Sequence, residues 1–199
     1  MKRWLVLVVA VLAGCAAIPR SGEQQASPYR YAPDGSVIWG EEFQFDPPPQ
    51  AWRLMQVDKG DEFSFAFLKP CSESGVCAAT FAFDEEPFGD SRDLGERMQE
   101  FYARFLWAAR VHFGQVETQA STAAGGREAL TAVAEGRDEV KGRKVMTKVV
   151  LTHRGERVVA FYLTQWRSLD GTYDPAEVKD FDAFVDSFRF IRPSFFETL

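Results

Sequence analysis

Few residues of this chain are suited to acid–base or metal chemistry near neutral pH. The sequence has no asparagine and two histidines, His112 and His153, and neither histidine lies in a recognisable motif. No G-x-S-x-G, H-E-x-x-H, P-loop or G-x-G-x-x-G pattern occurs. We therefore expect a protein that is not an enzyme and that has no cofactor.

Positive charge is also scarce. The 199 residues include 23 lysines and arginines against 29 acids, a net charge of −6, and loss of residues 1–14 would remove Lys2 and Arg3 and bring the charge to −8. An acidic chain is repelled by nucleic acid and by anionic lipid headgroups. We expect no nucleic-acid partner, and attachment to a membrane would need a lipid or an apolar anchor.

The longest apolar run is too short to cross a membrane. Trp4 to Leu12 follows two basic residues and falls short of the roughly 20 residues that a spanning helix needs. This order is typical of a secretory signal peptide. It leads into Leu12-Ala13-Gly14-Cys15, which resembles the lipobox of bacterial lipoproteins, where a peptidase cleaves before the cysteine and the thiol receives a diacylglyceryl group.

This pattern predicts a signal peptide over residues 1–14 and lipid attachment at Cys15, with membrane lipid as the first partner. Two other interpretations stay open, namely ordinary cleavage near Cys15 and an uncleaved short anchor. Ala16 stands where an aspartate would indicate inner-membrane retention. In a bacterium with two membranes, the pattern therefore favours the periplasmic face of the outer membrane.

The other two cysteines, Cys71 and Cys77, lie in CSESGVC between two strand-like runs. An exported protein meets an oxidising environment in which disulfides persist. We predict a structural disulfide that closes the end of a hairpin. A redox-active pair favours C-x-x-C spacing and a zinc site needs further ligands nearby, so the sequence disfavours both alternatives.

The chain divides into one domain and its flanking segments. Residues 15–36 are rich in Ala, Ser, Gln, Pro and Gly and predict a flexible tether, residues 37–192 predict a single domain, and residues 193–199 a tail. Apolar patterns predict strands over 37–45, 52–57, 63–68, 78–83, 127–135, 143–153 and 157–166. The last of these is apolar on both faces and should be central in its sheet.

Two segments have the features of helices. Apolar residues recur on one face from Leu94 to Ala108, with Ser91 as a candidate cap. Asp174-Pro175-Ala176-Glu177 has the cap, the proline and the returning glutamate of a second helix start. Strands that outnumber helices, with the helices interrupting an antiparallel meander, predict an α+β fold with helices packed on the sheet.

The order of these elements resembles the PsbP-like fold. The resemblance covers about residues 40–192 and depends on FDPPPQAW, in which a strand ends in prolines and a tryptophan, and on DFDAFVDSFRFI near the end. It implies an antiparallel sheet between helices, an α/β/α sandwich. Plant members are extrinsic subunits of photosystem II and other relatives bind protein partners, so the resemblance implies an accessory or binding module without an active site.

Two groups of side chains are candidate sites. The segment DEEPFGDSRD, residues 84–93, offers carboxylates that suit calcium but lacks the alternating D-x-D-x-D-G order, so a solvated loop that starts the helix is favoured. Candidates for an exposed partner surface are Trp39, Tyr102, Trp107 and Trp166, although burial in the core is favoured for most of them.

These patterns favour a non-enzymatic accessory or protein-binding module of a cell-envelope complex, held there by the lipid on Cys15. The alternatives are a carrier of small apolar ligands, with a pocket between sheet and helix, and an enzyme of unrecognised type. An apolar cavity would favour the carrier, and converging titratable side chains would favour the enzyme.

Overall fold

A smaller and a larger antiparallel sheet form most of the structure. We describe, from a computed structural model, residues 29–191 apart from 57–63, 71–77, 88–92, 110, 124–125 and 139. The smaller sheet has the order β1-β2-β3-β12. Its strands are β1 (Tyr29–Tyr31), β2 (Val37–Trp39), β3 (Phe43–Phe45) and β12 (Arg189–Phe190).

The larger sheet has the order β4-β5-β6-β11-β10-β9-β7, with β8 also paired to β9. Its strands are β4 (Arg53–Gln56), β5 (Ser64–Pro70), β6 (Ala78–Pro87), β7 (His112–Phe113), β8 (Glu117–Ala123), β9 (Arg127–Asp138), β10 (Arg143–Arg154) and β11 (Arg157–Ser168). The helices are α1 (Leu94–Ala109) and α2 (Pro175–Ser187). The predicted α+β class is confirmed, in a strand-rich form.

Strand β11 lies in the middle of the larger sheet, as its sequence predicts. It pairs with β10 on one side and with β6 on the other. Val159, Phe161 and Leu163 are buried on one face, and Val158 is buried on the opposite face. A strand with protein packed on both faces has apolar side chains on both faces, and β11 has this pattern.

The two faces of the larger sheet carry separate apolar cores. On one face, Phe161 of β11 belongs to a core that includes Phe45 of the smaller sheet and Phe184 of α2. On the other face, Met98 and Tyr102 of α1 pack against alanines of β9 and aliphatic residues of β10. The helices therefore lie on opposite faces of the larger sheet. Within the described residues, neither helix is long and apolar enough to cross a bilayer.

The start of α1 differs in detail from the sequence prediction. The helix begins at Leu94, and the Asp93 carboxylate accepts a hydrogen bond from the Gly95 amide at 2.7 Å. This is the contact expected of a helix cap. Ser91, the predicted cap, lies outside the described residues.

The start of α2 follows the prediction in part. Asp174 accepts a hydrogen bond from the Ala176 amide at 2.9 Å, and Pro175 occupies the first helical position. Glu177 does not return to the cap, because the Asp174 amide donates to Gln165 Oε1 at 2.8 Å. The Glu177 side chain instead receives a hydrogen bond from Arg167 Nη2 at 2.7 Å and is buried between the helix and the sheet.

The smaller sheet begins inside the segment predicted as tether, residues 15–36. Strand β1 pairs with β2, and the Tyr29 ring stacks on Trp39 with a centroid separation of 5.4 Å. The connecting residues turn tightly, since Asp34 Oδ1 accepts from the Ser36 amide at 3.0 Å and Gly35 has a φ of +89°. A polar, glycine-containing stretch therefore forms a hairpin turn here. The signal peptide, residues 15–28 of the tether and the tail lie outside the described residues.

Candidate functional site

An apolar cleft of about 330 Å³ lies between the smaller sheet and the first two strands of the larger one. Its walls come from β1, β2 and β3, from the proline-rich segment that follows β3, and from β4 and β5. Strands β1 and β4 are each the first in the order of their own sheet. The cleft therefore lies where the edges of the two sheets meet.

The floor of the cleft is aromatic and aliphatic. Val37, Phe45, Trp52 and Phe67 form it, and each is at most 5% exposed. The rings of Phe45 and Phe67 meet edge to face at a centroid separation of 6.2 Å, and Trp52 packs on Phe81 at 4.4 Å. Because these rings also belong to the core between the sheets, packing holds the floor in one shape.

Trp52 is fixed by polar contacts as well as by packing. Its indole Nε1–H donates to Asp180 Oδ2 of α2 at 2.8 Å, and its backbone amide donates to the Pro49 carbonyl at 2.9 Å. Lys69 Nζ lies 5.8 Å from the ring centroid. The indole thus reaches from α2 to the cleft. Its N–H is already hydrogen-bonded to Asp180 and contributes no polar contact to a ligand in the cleft.

The rim of the cleft is more exposed and more polar than its floor. Tyr31 is 65% exposed, and Pro47 and Gln50 are also exposed. The neighbouring Arg30 donates two hydrogen bonds to the Glu41 carboxylate, at 2.8 and 3.1 Å, which tie β1 to the turn after β2. The rim offers two kinds of polar group, tyrosine hydroxyls and one amide.

The residues that line the cleft are suited to binding an apolar group rather than to acid–base chemistry. Among the described residues, no charged side chain lines the cleft. The histidines, His112 on β7 and His153 on β10, are exposed and do not line it. Concave, largely apolar sites with a few polar groups at fixed positions are the usual form of ligand pockets.

A second cluster consists of buried charges that join the two sheets. Glu85 of β6 is 2% exposed, and its Oε1 lies 3.4 Å from Arg157 Nε and 3.7 Å from Arg154 Nη1. Arg154 also donates to Glu42 of the smaller sheet's β2–β3 connection at 2.7 Å, and its guanidinium lies 5.5 Å from the centre of the Phe43 ring. Glu85 Oε1 and Arg154 Nε are buried without a hydrogen-bond partner among the described residues, so attraction between the charges, rather than a complete set of hydrogen bonds, links these groups.

Burial raises the pKa of Glu85 above its ordinary value of 4.5. Arg154 and Arg157 act to lower this pKa, and Glu42 acts to raise it further. Burial outweighs the attraction of the two arginines because the carboxylate loses its hydration inside the fold. The cluster therefore links the two sheets, and the protonation state of Glu85 affects the stability of that link.

These positions correct the interpretation of residues 84–93 as a solvated loop. Strand β6 continues to Pro87, and both Asp84 and Glu85 are buried in it. Asp84 points to the opposite face, where burial and the Asp84 charge raise the pKa of Tyr162. Residues 88–92 are outside the described part of the chain. Within the described part, no group of three or more acidic, histidine or cysteine side chains could hold a metal ion.

The predicted acylation site and disulfide lie outside the described residues. Cys15, Cys71 and Cys77 are all in undescribed segments. Pro70 and Ala78, which adjoin Cys71 and Cys77, are cross-strand partners in β5 and β6. The disulfide between Cys71 and Cys77 stays a prediction.

The aromatic residues singled out from the sequence do not form a partner surface together. Trp39 and Tyr102 are 4% and 5% exposed, and Trp166 is half-buried. The Trp107 side chain is outside the described residues. The exposed aromatic ring at the cleft is that of Tyr31, which lies in the segment that the sequence predicts as tether.

Sequence reasoning missed the cleft because its parts are far apart and each has another interpretation. Tyr29 and Tyr31 stand in a polar stretch, and Pro47-Pro48 serves as the stop of a strand. One available signal was the pair of tyrosines two residues apart, since alternate residues of a strand share one face. Their common face lines the cleft.

Comparisons with known proteins support the fold. No protein-family model and no curated protein matches the sequence. The structure is similar to a point mutant of the protein Mog1, with a TM-score of 0.56 and 14% identity over 80% of this chain and 96% of that one. This likeness supports the α+β fold and nothing about activity.

Two further structures are more distant. LpqN of Mycobacterium tuberculosis, a protein involved in cell-envelope biogenesis, has a TM-score of 0.46 and 17% identity over 74% of this chain and 83% of its own. PA94 of Pseudomonas aeruginosa, a protein of unknown function, has a TM-score of 0.42 and 15% identity over 66% of this chain and 88% of its own.

Proposed function

We propose that this chain is a lipid-anchored binding protein of a bacterial cell envelope and that the aromatic cleft is its binding site. The observation that carries the proposal is the position of the cleft in the chain. Tyr29 lines the cleft, and thirteen residues separate it from the predicted acylation site at Cys15. A binding site this close in the chain to a lipid anchor would be kept near the membrane.

The length of the tether sets how far the cleft can stand from its anchor. Thirteen residues lie between Cys15 and Tyr29. Fully extended they span at most about 50 Å, and as a flexible coil about 20 Å. With an acidic chain that headgroups do not attract, the lipid alone supplies the attachment. We place the anchor in the outer membrane with the domain on the periplasmic side.

We propose a non-enzymatic role as an accessory to an envelope complex, as the PsbP-like resemblance implies. The cleft combines a buried, fixed indole at Trp52 with an exposed ring at Tyr31. Tryptophan and tyrosine are enriched among the residues that dominate protein–protein binding. A partner segment that inserts an apolar side chain would contact both rings.

The anchoring part of the proposal is tested by the intact mass of the chain extracted from its native membranes. We expect a chain that begins at Cys15 and carries a diacylglyceryl group, with or without a further acyl chain. An unmodified chain cut near Cys15 would support ordinary secretion, and a full-length chain would support an uncleaved anchor. Either of those two masses would contradict the proposal.

The binding part is tested by capture of a partner from crosslinked native membranes. A partner bound in the cleft should be lost with Leu54→Glu, which places a charge in the lining, and with Tyr31→Ala at the exposed rim. Val140→Glu is the matched control, because Val140 is 84% exposed in the turn between β9 and β10 and does not line the cleft. Equal capture by all three variants would contradict the assignment of the site.

A second candidate function is the carriage of a small apolar ligand. The observation that favours it is the volume of about 330 Å³, which lies at the lower end of the range of small-molecule pockets. The pocket lies between the two sheets and not, as the sequence predicts, between sheet and helix.

A further inference from the structure

We infer that the aromatic cleft binds one alkyl chain of a single-chain amphiphile, such as a fatty acid, drawn from the adjacent membrane. This inference rests on the second candidate function and names its ligand class. It follows from the chemistry of the lining, the size of the cleft and the short stretch of sequence between the cleft and the predicted acylation site at Cys15.

The lining has too few polar groups to bury a peptide backbone. Each residue of an extended peptide presents an N–H and a C=O that need partners when they are removed from water. The polar side chains of the lining are Gln50, Tyr29, Tyr31 and Trp52, and the Trp52 indole N–H donates to Asp180. An alkyl chain needs no such partner and is stabilised by burial against aromatic rings.

The distribution of polarity along the cleft suits an amphiphile. The floor is buried and apolar, at Val37, Phe45 and Phe67, and would hold the chain. The rim has exposed polar groups at Tyr31 and Gln50, which would face the headgroup. A volume of about 330 Å³ suits one chain rather than the two of a diacyl phospholipid.

The membrane is the nearest source of such chains. Thirteen residues separate Cys15 from Tyr29, so a tethered cleft remains within about 50 Å of the bilayer. A single-chain amphiphile leaves a bilayer more easily than a diacyl lipid, because fewer methylene groups must leave apolar surroundings. The acyl groups predicted on Cys15 itself remain in the bilayer as the anchor.

The test is photolabelling of the full acylated chain in nanodiscs of dioleoylphosphatidylcholine that contain a trace of diazirine-bearing palmitic acid. After irradiation and digestion, we expect labelled peptides from residues 29–56 and 64–70. Leu54→Glu should reduce this labelling at least tenfold, and Tyr31→Ala should reduce it severalfold without disturbing the buried floor. Val140→Glu should leave it unchanged, and circular dichroism checks that each variant is folded.

Each other outcome contradicts the inference in a different way. Equal labelling of the two cleft variants and the control would show that the probe binds elsewhere. Labelling of the cleft only in a Cys15→Ser chain would show that the protein's own lipid fills it. If no lipid is incorporated but a protein partner is still captured through the cleft, the inference fails and the proposed binding function stands. If both experiments fail, both proposals fall.

Discussion

Arg154 shows how one buried side chain can join two layers of this fold. Its guanidinium contacts Glu85 of the larger sheet and Glu42 of the smaller one. Removing one member of a buried charge cluster leaves the others without compensation, which costs about 3 to 5 kcal/mol in the systems where it has been measured. Because Arg154 contacts a residue of each sheet, its replacement by an uncharged residue would remove a polar link between the two sheets.

At the scale of one residue, Glu85 predicts a specific pH dependence. Its folded-state pKa is raised above 4.5, so the protonated form is favoured by folding. The stability that this group contributes is complete below about 4.5 and is lost as the pH rises through the raised pKa. Glu85→Gln keeps a neutral side chain at every pH. The wild-type chain should therefore lose stability relative to the variant as the pH rises from 4 to 7.

Urea unfolding of both chains at several pH values measures this difference. Because the two chains share every other titrating group, other pH effects largely cancel. A difference in the free energy of unfolding that stays constant with pH, or that moves in favour of the wild type at higher pH, would contradict the assignment.

The sequence could not predict the burial of Asp84 and Glu85. Consecutive acids are normally exposed, and a solvated loop is the ordinary interpretation of such a run. Their burial depends on β6 continuing beside β11, which brings Arg157 against Glu85 from a distant part of the chain. Spacing along the chain contains no information about that partner.

At the scale of elements, α2 is attached to the sheet by a buried ion pair. Arg167 donates to Glu177 Oε2, to Gln165 Oε1 and to the Thr172 carbonyl, and Lys69 Nζ lies 3.4 Å from Glu177 Oε1. Both Arg167 and Glu177 are buried. The polar contacts at the start of α2 therefore fix its position on the sheet as well as capping it.

This attachment predicts unequal effects of two substitutions in the first turn. Glu177→Ala leaves the Arg167 charge buried without a carboxylate and should lower the free energy of unfolding by about 3 kcal/mol. Asp174→Ala removes a cap and should lower it by about 1 kcal/mol. Chemical denaturation of the two variants measures both values. Equal effects, or a larger effect at Asp174, would contradict the role given to Glu177.

The hairpin of β5 and β6 gives a test of the predicted disulfide. If Cys71 and Cys77 are bonded, neither thiol should react with a maleimide in the oxidised, denatured chain, and both should react after reduction. The Cys71→Ser, Cys77→Ser double variant should lose about 2 kcal/mol of stability, the value expected for so short a loop. Reaction of both thiols without reductant would contradict the prediction.

Most elements could be predicted because their periodicity is local. The apolar stripe of α1 and the two-faced pattern of β11 each lie within one segment, and the structure confirms both. The ends of elements are less predictable, since they depend on neighbours. Strand β1 is short and polar, and its pairing with β2 and its stacking on Trp39 become evident only in three dimensions.

At the scale of the whole molecule, the cleft forms only when folding brings distant segments of the chain together. Its residues come from three separated parts of the chain, near Tyr29, near Trp52 and at Phe67. No one of these parts has the pattern of a binding motif. The sequence also predicts an anchor at Cys15, and thirteen residues separate that cysteine from Tyr29 in the lining of the cleft.

The most direct test of this account uses the photoreactive residue p-benzoylphenylalanine at position 31 of the acylated chain in its native membranes. Position 140 serves as the control, because Val140 is highly exposed and lies outside the cleft. The account predicts a discrete adduct, with a protein or an amphiphile, from position 31, and its loss when Leu54→Glu is added. No adduct from position 31, or the same adduct from both positions, would contradict the claim that this chain acts through the aromatic cleft.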